Sequence, residues 1–547
     1  MSAAVARWAP FALFVVVFLV ALPTTSTGFP TADGVSYLSI AEHWANGRSD
    51  LAVNGFWSPL LSFLLVPAAL VGAPMFLSGQ ILMGLIGLFA LAMVKRLMRV
   101  LNYDTLVDDL LVIGAVPLVV YASISLLTPD LLMAALLLGY LSTMIDRRPM
   151  SPVRRGVIAG CWAGAAFLAK AYALPFVVAH LVLTVLVRLV RRSDLGQRRT
   201  VALVAMGVTA LWVLPWATVL SVDAGRPIVT TVGDYHVDVT SRGSSGNAFV
   251  WAGILPPTHE FAVSAWEDPS RLPRSVDEAF VDLSTDDDPE PTPSGAGGGA
   301  DADEAAVAVE TGPTVVERIE NRARRTLGSL RVVTVAGGLM GLTGVVGTLA
   351  MLWWLVSRRP RRPVRQAAPD PFVDVVIAVT VYIGGLSLLV VETRYLWAPL
   401  LLTVPCAAWG LRRLRARLPR IPLRAVAAVV ALGSVAGPAI GISRVLDKAS
   451  RQDELRVALA PVLESGDRVV TSRSALSTIP GICYLESCTY WGATQAESRD
   501  ELEERLDRFG VDVYIRFGDD EPAGGGEVAR IERTGSDLVV SRRSSGD

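Results

Sequence analysis

Residues 29–60 read FPTADGVSYLSIAEHWANGRSDLAVNGFWSPL and directly follow the first apolar segment of the chain. Thr31 can cap a helix that begins there, and a carboxylate at Asp33 in its first turn is stabilised in the ionised form by exposed amides and the helix dipole. Tyr37 lies four positions further along, so both side chains can address a common ligand. The stretch therefore predicts a polar site at the end of a membrane span, although a purely structural cap at Asp33 explains the same residues.

The composition of the whole chain indicates a membrane protein. Of 547 residues, 52% are hydrophobic and only 18% are charged, which excludes an ordinary soluble globule. Apolar runs long enough to cross a bilayer predict about 11 transmembrane helices. We place them near residues 8–28, 76–94, 106–124, 131–145, 154–169, 172–190, 200–221, 332–356, 373–391, 395–411 and 421–442.

The distribution of basic residues predicts the orientation of these spans. The apolar run 59–71 is short for a full crossing, so we assign it to the outer interface. The arginine-rich connections near 147–155, 188–199, 358–365 and 412–420 then all lie on the cytoplasmic side. We expect a multi-pass protein of the plasma membrane with a cytoplasmic amino terminus.

Ionisable residues recur at the predicted outer ends of the spans, level with Asp33. They are Asp130, Lys170 and Arg394, and an ionised side chain inside a bilayer costs about 2.5–3.5 kcal/mol at its centre. Taken singly, Asp130 can be a helix cap, Lys170 can reach the headgroups, and Arg394 can pair with Glu392 or a lipid phosphate. Taken together, they predict one shared cavity at the outer face.

The chain divides into a membrane domain, 1–445, and a small extracytoplasmic α/β domain, 446–547. In the membrane domain, 29–75 forms an outer loop with juxtamembrane helices. A second outer loop covers 222–330, and its run of Asp, Glu, Pro, Gly and Ala at 284–313 predicts disorder.

Alternating apolar and polar residues after 446 predict strands around at least one helix. We expect the strands near 467–471, 511–517, 528–532 and 538–541, and the helix at 498–509. Cys483 and Cys488 face an oxidising compartment in this topology and can pair, but their spacing does not establish a disulfide.

The order of five short motifs resembles the GT-C glycosyltransferases. The motifs are DGVSYLSIAE at 33–42, SPL at 58–60, TPDLL at 128–132, GAAFLAK at 164–170 and ETRYL at 392–396. Within that superfamily the chain looks like the branch related to protein mannosyltransferases and the lipid A aminoarabinose transferase. The resemblance covers roughly residues 8–411.

This resemblance implies transfer of a sugar from a polyprenyl-phosphate donor to an extracytoplasmic protein, lipid or cell-wall glycan. It makes Asp33 the catalytic aspartate of the first outer loop and 59–71 a juxtamembrane helix. Val35 stands where some relatives carry a second acid, so no metal ligand is assigned and metal dependence stays open. Ser58 stands where the aminoarabinose branch carries a charged residue, which argues against that sugar.

The residue types fit this chemistry. Asp33 can accept the proton of an acceptor hydroxyl, and Lys170 and Arg394 can hold the phosphate whose negative charge grows as it leaves. Asp130, the second residue assigned to catalysis, can orient a sugar hydroxyl or either cation. Five further residues are candidates for substrate binding: Tyr37, Glu42, His43, Trp57 and Tyr395.

Two other classes of protein remain open at this stage. A secondary transporter also carries ionisable residues in its spans, but it tends to place them near the middle of the membrane and to contain repeated halves. A non-catalytic membrane scaffold or sensor with an outer domain is the other alternative. We expect no nucleic-acid partner for this protein.

Overall fold

The computed structural model describes residues 3–101, 105–190, 195–233, 315–357, 372–386, 393–472, 475, 478–494, 496, 498–518, 527–531 and 537–543. The predicted disordered run 284–313 and most of the second outer loop lie outside these residues. Glu392, the alternative partner of Arg394, lies outside them as well.

The amino-terminal elements shape the first loop. Helix α1 (Ala3–Thr27) leads into α2 (Ala32–Ala45), and the Thr31 side chain accepts a hydrogen bond of 3.4 Å from the amide of Gly34, which confirms the predicted cap. A short helix, α3 (Ser49–Ala52), precedes α4 (Leu60–Leu70). At 1.5 Å per residue, the 11 residues of α4 extend only about 16 Å, too little to cross a bilayer core of about 30 Å.

The remaining regular elements among the described residues up to 459 are helical. They are α5 (Met75–Leu101), α6 (Thr105–Ser125), α7 (Asp130–Ile145), α8 (Pro152–Ala169), α9 (Ala173–Val190), α10 (Leu195–Asp223), α11 (Val315–Ala336), α12 (Gly338–Ser357), α13 (Phe372–Leu386), α14 (Trp397–Arg417), α15 (Leu423–Gly433) and α16 (Ala436–Leu459). A 3-10 turn, Thr393–Leu396, precedes α14. Among the described residues, five apolar segments are long enough to cross a membrane and shorter apolar helices accompany them. The protein is therefore a multi-pass membrane protein, while the number of eleven spans stays a prediction.

Helix α7 lies at the centre of the bundle, since every one of its residues is buried. Its neighbour α8 carries Gly156, Gly160 and Gly164 at four-residue intervals, and these glycines face α10. A Cβ on any of them would come within 2.9 Å of α10 atoms. Small residues at this spacing let two membrane helices approach closely, so α8 is held firmly against α10. The position of Lys170, at the end of α8, is fixed by this packing.

A buried polar cluster joins α7, α9, α10 and α13. Asp374 in α13 pairs with Arg188 at 3.3 Å and with Arg198 at 3.5 Å, and the side chains of Asp374 and Arg188 are 1% and 4% exposed. The ring of His180 bridges this cluster to α7, because its Nε2 lies 3.3 Å from the Asp374 carbonyl oxygen and its Nδ1 lies 2.9 Å from the Tyr140 hydroxyl. This arrangement fits a neutral imidazole that donates through Nε2 and accepts through Nδ1.

Replacing Asp374 by Ala is expected to destabilise the protein by about 3–5 kcal/mol, because buried Arg188 would lose its counter-charge. A lowered melting temperature of the detergent-purified protein measures the effect. The matched control is Asp50→Ala, which removes an exposed pair with Arg48 at 3.1 Å and should leave the melting temperature almost unchanged. Equal melting temperatures for the two variants would contradict the prediction.

The carboxyl-terminal residues form a five-stranded sheet with strand order β2-β1-β3-β5-β4. The strands are β1 (Arg468–Thr471), β2 (Thr489–Ala493), β3 (Val513–Phe517), β4 (Glu527–Ile531) and β5 (Leu538–Arg542). Strands β1, β2 and β3 run parallel, and β5 pairs antiparallel with β3 and β4. Helices α17 (Ile479–Glu486) and α18 (Arg499–Arg508) connect the parallel strands.

Most elements of this region lie where the sequence predicts them, but β2 and α17 have no counterpart in the prediction. Cys483 and Cys488 are both buried and free. Burial is the main cause that raises the pKa of the Cys483 thiol well above its usual value. The extracytoplasmic location of this region stays a prediction.

Candidate active site

The first ion pair of the site joins two distant parts of the chain. Asp33 stands in the first turn of α2, and Arg394 stands in the 3-10 turn before α14. The Arg394 guanidinium donates a hydrogen bond to Asp33 Oδ2. The side chain of Asp33 is 17% exposed and that of Arg394 is 16% exposed. The pair is thus mostly enclosed by protein, but a ligand can still reach it.

A second ion pair lies beside the first. Asp130 is the first residue of α7 and its side chain is 1% exposed, while Lys170 caps the carboxyl end of α8 and its side chain is 26% exposed. Lys170 Nζ donates to Asp130 Oδ1, and within the part of the chain that the structure describes the other oxygen, Oδ2, has no hydrogen-bond partner. Burial is the main cause that lowers the pKa of Lys170, and the charges of Arg394 and Asp33 also affect it, so the two ion pairs are neighbours. One buried carboxylate oxygen therefore remains available for a ligand.

The ring of Tyr395 connects the two cations. Lys170 Nζ lies 4.2 Å from the ring centroid and Arg394 Cζ lies 5.3 Å from it, both within the range of cation–π attraction. The two positive charges thus lie in one small region around the ring. Such a pair of cations suits a phosphate, which presents several acceptor oxygens and at least one negative charge.

Tyr37 lies close enough to both acids for their charges to affect it. Burial above all, and then the negative charges of Asp130 and Asp33, raise the pKa of Tyr37 well above its usual value. The hydroxyl therefore stays protonated and can donate a hydrogen bond. Trp57 packs edge-on against Tyr37 with ring centroids 5.2 Å apart, and Ser62 Oγ donates to the Tyr37 carbonyl oxygen at 2.9 Å. Asp33, Tyr37 and Trp57 thus belong to one neighbourhood, as the first loop predicts.

Three residues that support the site were not assigned a role from the sequence. Tyr172 donates a hydrogen bond of 2.7 Å to the Tyr382 carbonyl oxygen, and the Tyr382 hydroxyl donates at 3.0 Å to the carbonyl oxygen of Tyr395. Ser58 Oγ accepts a hydrogen bond of 3.2 Å from the amide of Ala171, just after Lys170. The one local signal that could have identified Tyr172 is its position two residues after Lys170. Tyr382 lies in an ordinary apolar run and gave no signal.

The structure does not bring Glu42 and His43 to the ion pairs. Glu42 Oε2 instead accepts a hydrogen bond of 3.0 Å from the hydroxyl of Tyr484 in α17. Burial raises the pKa of Glu42, and the bond from Tyr484 partly offsets that shift. His43 lies ten positions beyond Asp33, about 15 Å along the helix axis. The hydrogen bond from Arg48 is the main cause that lowers the pKa of Asp50, and His43 makes a smaller contribution in the same direction. Their assignment to substrate binding stays a prediction.

The described acids of the site do not gather into a group that could bind a metal ion. Within the described residues, no group of three or more His, Cys, Asp or Glu side chains gathers in a way that could hold one. Asp33 and Asp130 each face a cation of the protein instead.

No family model and no curated protein matches this sequence. Solved structures do match, and they show that the chain has the GT-C glycosyltransferase fold. One is ArnT from Cupriavidus metallidurans bound to undecaprenyl phosphate, with a TM-score of 0.55 and 15% identity over 98% of this chain and 99% of that one. Another is the archaeal oligosaccharyltransferase AglB from Archaeoglobus fulgidus, in complex with an inhibitory peptide and a dolichol-phosphate. Its TM-score is 0.51 at 12% identity, over 93% of this chain and 70% of that chain. The predicted resemblance is confirmed at the level of the fold.

Proposed function

We propose that this protein is a membrane glycosyltransferase that moves a sugar from a polyprenyl-phosphate donor to an extracytoplasmic acceptor. The observation that carries the proposal is the pairing of Asp33 with Arg394 and of Asp130 with Lys170 around the ring of Tyr395. The lipid phosphates named with ArnT and AglB support the donor class.

The cations provide the donor site in this proposal. Lys170 and Arg394 bind the phosphate of the donor, and its negative charge replaces part of the attraction that holds Arg394 to Asp33. Arrival of the donor thereby frees the Asp33 carboxylate for the acceptor. The buried Oδ2 of Asp130 accepts a hydrogen bond from a hydroxyl of the sugar, because a buried acceptor without a partner is costly.

The transfer step then follows from these positions. The acceptor hydroxyl attacks the anomeric carbon and loses its proton to the Asp33 carboxylate. The new bond joins the acceptor oxygen to the anomeric carbon, while the bond from that carbon to the phosphate oxygen breaks. The electron pair of the broken bond stays on the phosphate, where Lys170 and Arg394 stabilise the added charge.

The placement of the charges favours this proposal over a transporter. Asp130 is the first residue of α7, Lys170 follows the last residue of α8, and Arg394 precedes α14. These charges lie at helix ends, whereas transporters tend to place such residues near the middle of the membrane in broken helices.

Purified protein in liposomes is expected to consume a polyprenyl-phosphate sugar when cell-envelope acceptors are supplied. The assay offers radiolabelled polyprenyl-phosphate mannose, glucose and arabinose in turn, and it measures release of free polyprenyl phosphate and labelled product. Nucleotide sugars serve as the control donors, and the protein should not consume them. Failure to consume any lipid-linked sugar above the level of empty liposomes would overturn the proposed function.

A further inference from the structure

Helix α17, which packs with the carboxyl-terminal sheet, lies directly against the residues that precede α2, the helix that carries Asp33. Gly481, in the first turn of α17, is a point of close approach. A Cβ added there would overlap the Pro30 carbonyl oxygen and come within 2.7 Å of Phe29 Cδ2. Only a residue without a side chain allows this contact, so the approach depends on glycine at this position.

A hydrogen bond fixes the other end of α2. Tyr484 stands one helical turn after Gly481, and its hydroxyl donates to Glu42 Oε2 at 3.0 Å. Pro30 precedes the cap of α2 and Glu42 lies in its last turn, so α17 contacts both ends of the helix that carries Asp33. Both partners of the bond are partly buried, which strengthens it relative to a fully exposed contact.

Apolar packing accompanies these two contacts. Ile479 and Ile482 of α17 are fully buried, and they belong to the same continuous hydrophobic core as Phe29 and Ala32. A second connection runs through α16, whose Ala449 packs beside Gly28 at the end of α1. The carboxyl-terminal region therefore packs firmly against the start of the 29–75 loop.

We propose that the carboxyl-terminal region positions the Asp33 helix for catalysis, with Gly481 and Tyr484 as positioning residues. This inference rests on the proposed function. The cations that would hold the donor come from α8 and from the turn before α14, whereas the proposed base comes from α2. Displacement of α2 therefore changes the place of the carboxylate and leaves Lys170 in position. A misplacement of about 1 Å in an active site can cost roughly 100-fold in rate.

The test compares Gly481→Ala and Tyr484→Phe in the full chain with the matched control Gly518→Ala, where a new Cβ meets nothing nearer than 3.4 Å. Both test variants are expected to lower kcat about 10- to 100-fold, with little change in the KM for donor, and the control should keep the wild-type kcat. Amide hydrogen exchange is measured on the same samples. Exchange across residues 33–45 should accelerate in both test variants, while exchange in β3 and β5 stays at the wild-type level.

Wild-type kcat together with wild-type exchange in both test variants would overturn the inference. Faster exchange throughout the protein, or a parallel loss of kcat and donor affinity, would also overturn it, because either indicates general destabilisation. The exchange measurement does not depend on catalysis. If the wild-type protein transfers no sugar, accelerated exchange confined to 33–45 would still support docking, and the proposed function alone would fail.

Discussion

Asp33→Asn is expected to abolish sugar transfer while leaving expression and donor binding largely intact. Asparagine keeps the size of the side chain but cannot accept the proton of the attacking hydroxyl. General-base catalysis contributes about 100- to 10,000-fold to a rate, so the loss of transfer should reach at least that range. Initial rates with saturating lipid-linked sugar measure the loss, and binding of polyprenyl phosphate measured on the same preparation shows that the donor site persists.

The matched control for this variant is Asp50→Asn. Asp50 lies in the same outer loop, is largely exposed, and pairs with Arg48 rather than with a residue of the site. It should retain wild-type turnover. Full activity of Asp33→Asn would remove Asp33 from the mechanism, and equal loss in both variants would indicate that the loop as a whole, not this carboxylate, had been damaged.

Neutralising either cation is expected to weaken donor binding. A hydrogen bond to a charged group contributes about 1.5–3 kcal/mol, so Lys170→Met and Arg394→Gln should each raise the Kd for polyprenyl phosphate at least roughly tenfold. Both variants also leave a buried or largely buried acid without its partner, which should lower the melting temperature of the ligand-free protein. The lipid-induced rise in melting temperature, titrated against lipid concentration, measures the affinity.

Two further variants separate charge from general damage. Arg394→Lys keeps the positive charge but loses the planar, multiply donating guanidinium, so it should recover only part of the affinity. Arg48→Gln removes an exposed arginine of the outer loop and should bind the lipid like the wild type. Unchanged affinity in Lys170→Met and Arg394→Gln would end the assignment of these residues to the phosphate.

Local sequence patterns predicted much of the membrane domain. Thr31 followed by Asp33 indicated the start of α2, and the structure shows the predicted cap. The short apolar run after Pro59 indicated a helix too short to span, and α4 has that length. These features depend on neighbouring residues and on the thickness of a bilayer, so they can be recognised without knowledge of the fold.

The contacts of the site were predicted less completely. The residues Asp33, Asp130, Lys170 and Arg394 were found because charge is rare at the ends of apolar spans. Their division into pairs was not predicted, apart from the alternative that Asp130 orients a cation. Glu42 stays a candidate for substrate binding, but nothing in the sequence predicts that its carboxylate accepts a hydrogen bond from Tyr484 of the carboxyl-terminal region.

The sequence by itself determined the membrane class, the positions of most helices, and the residues whose charge requires an explanation, since hydropathy and helix capping are local properties. Only the tertiary structure decided that Asp33 meets Arg394, 361 positions away, and that Gly481 lies against Pro30. Contacts of this kind depend on how helices pack and which faces they turn to one another. The residues of one segment do not specify which distant segment packs against them, so these two contacts cannot be read from the sequence alone.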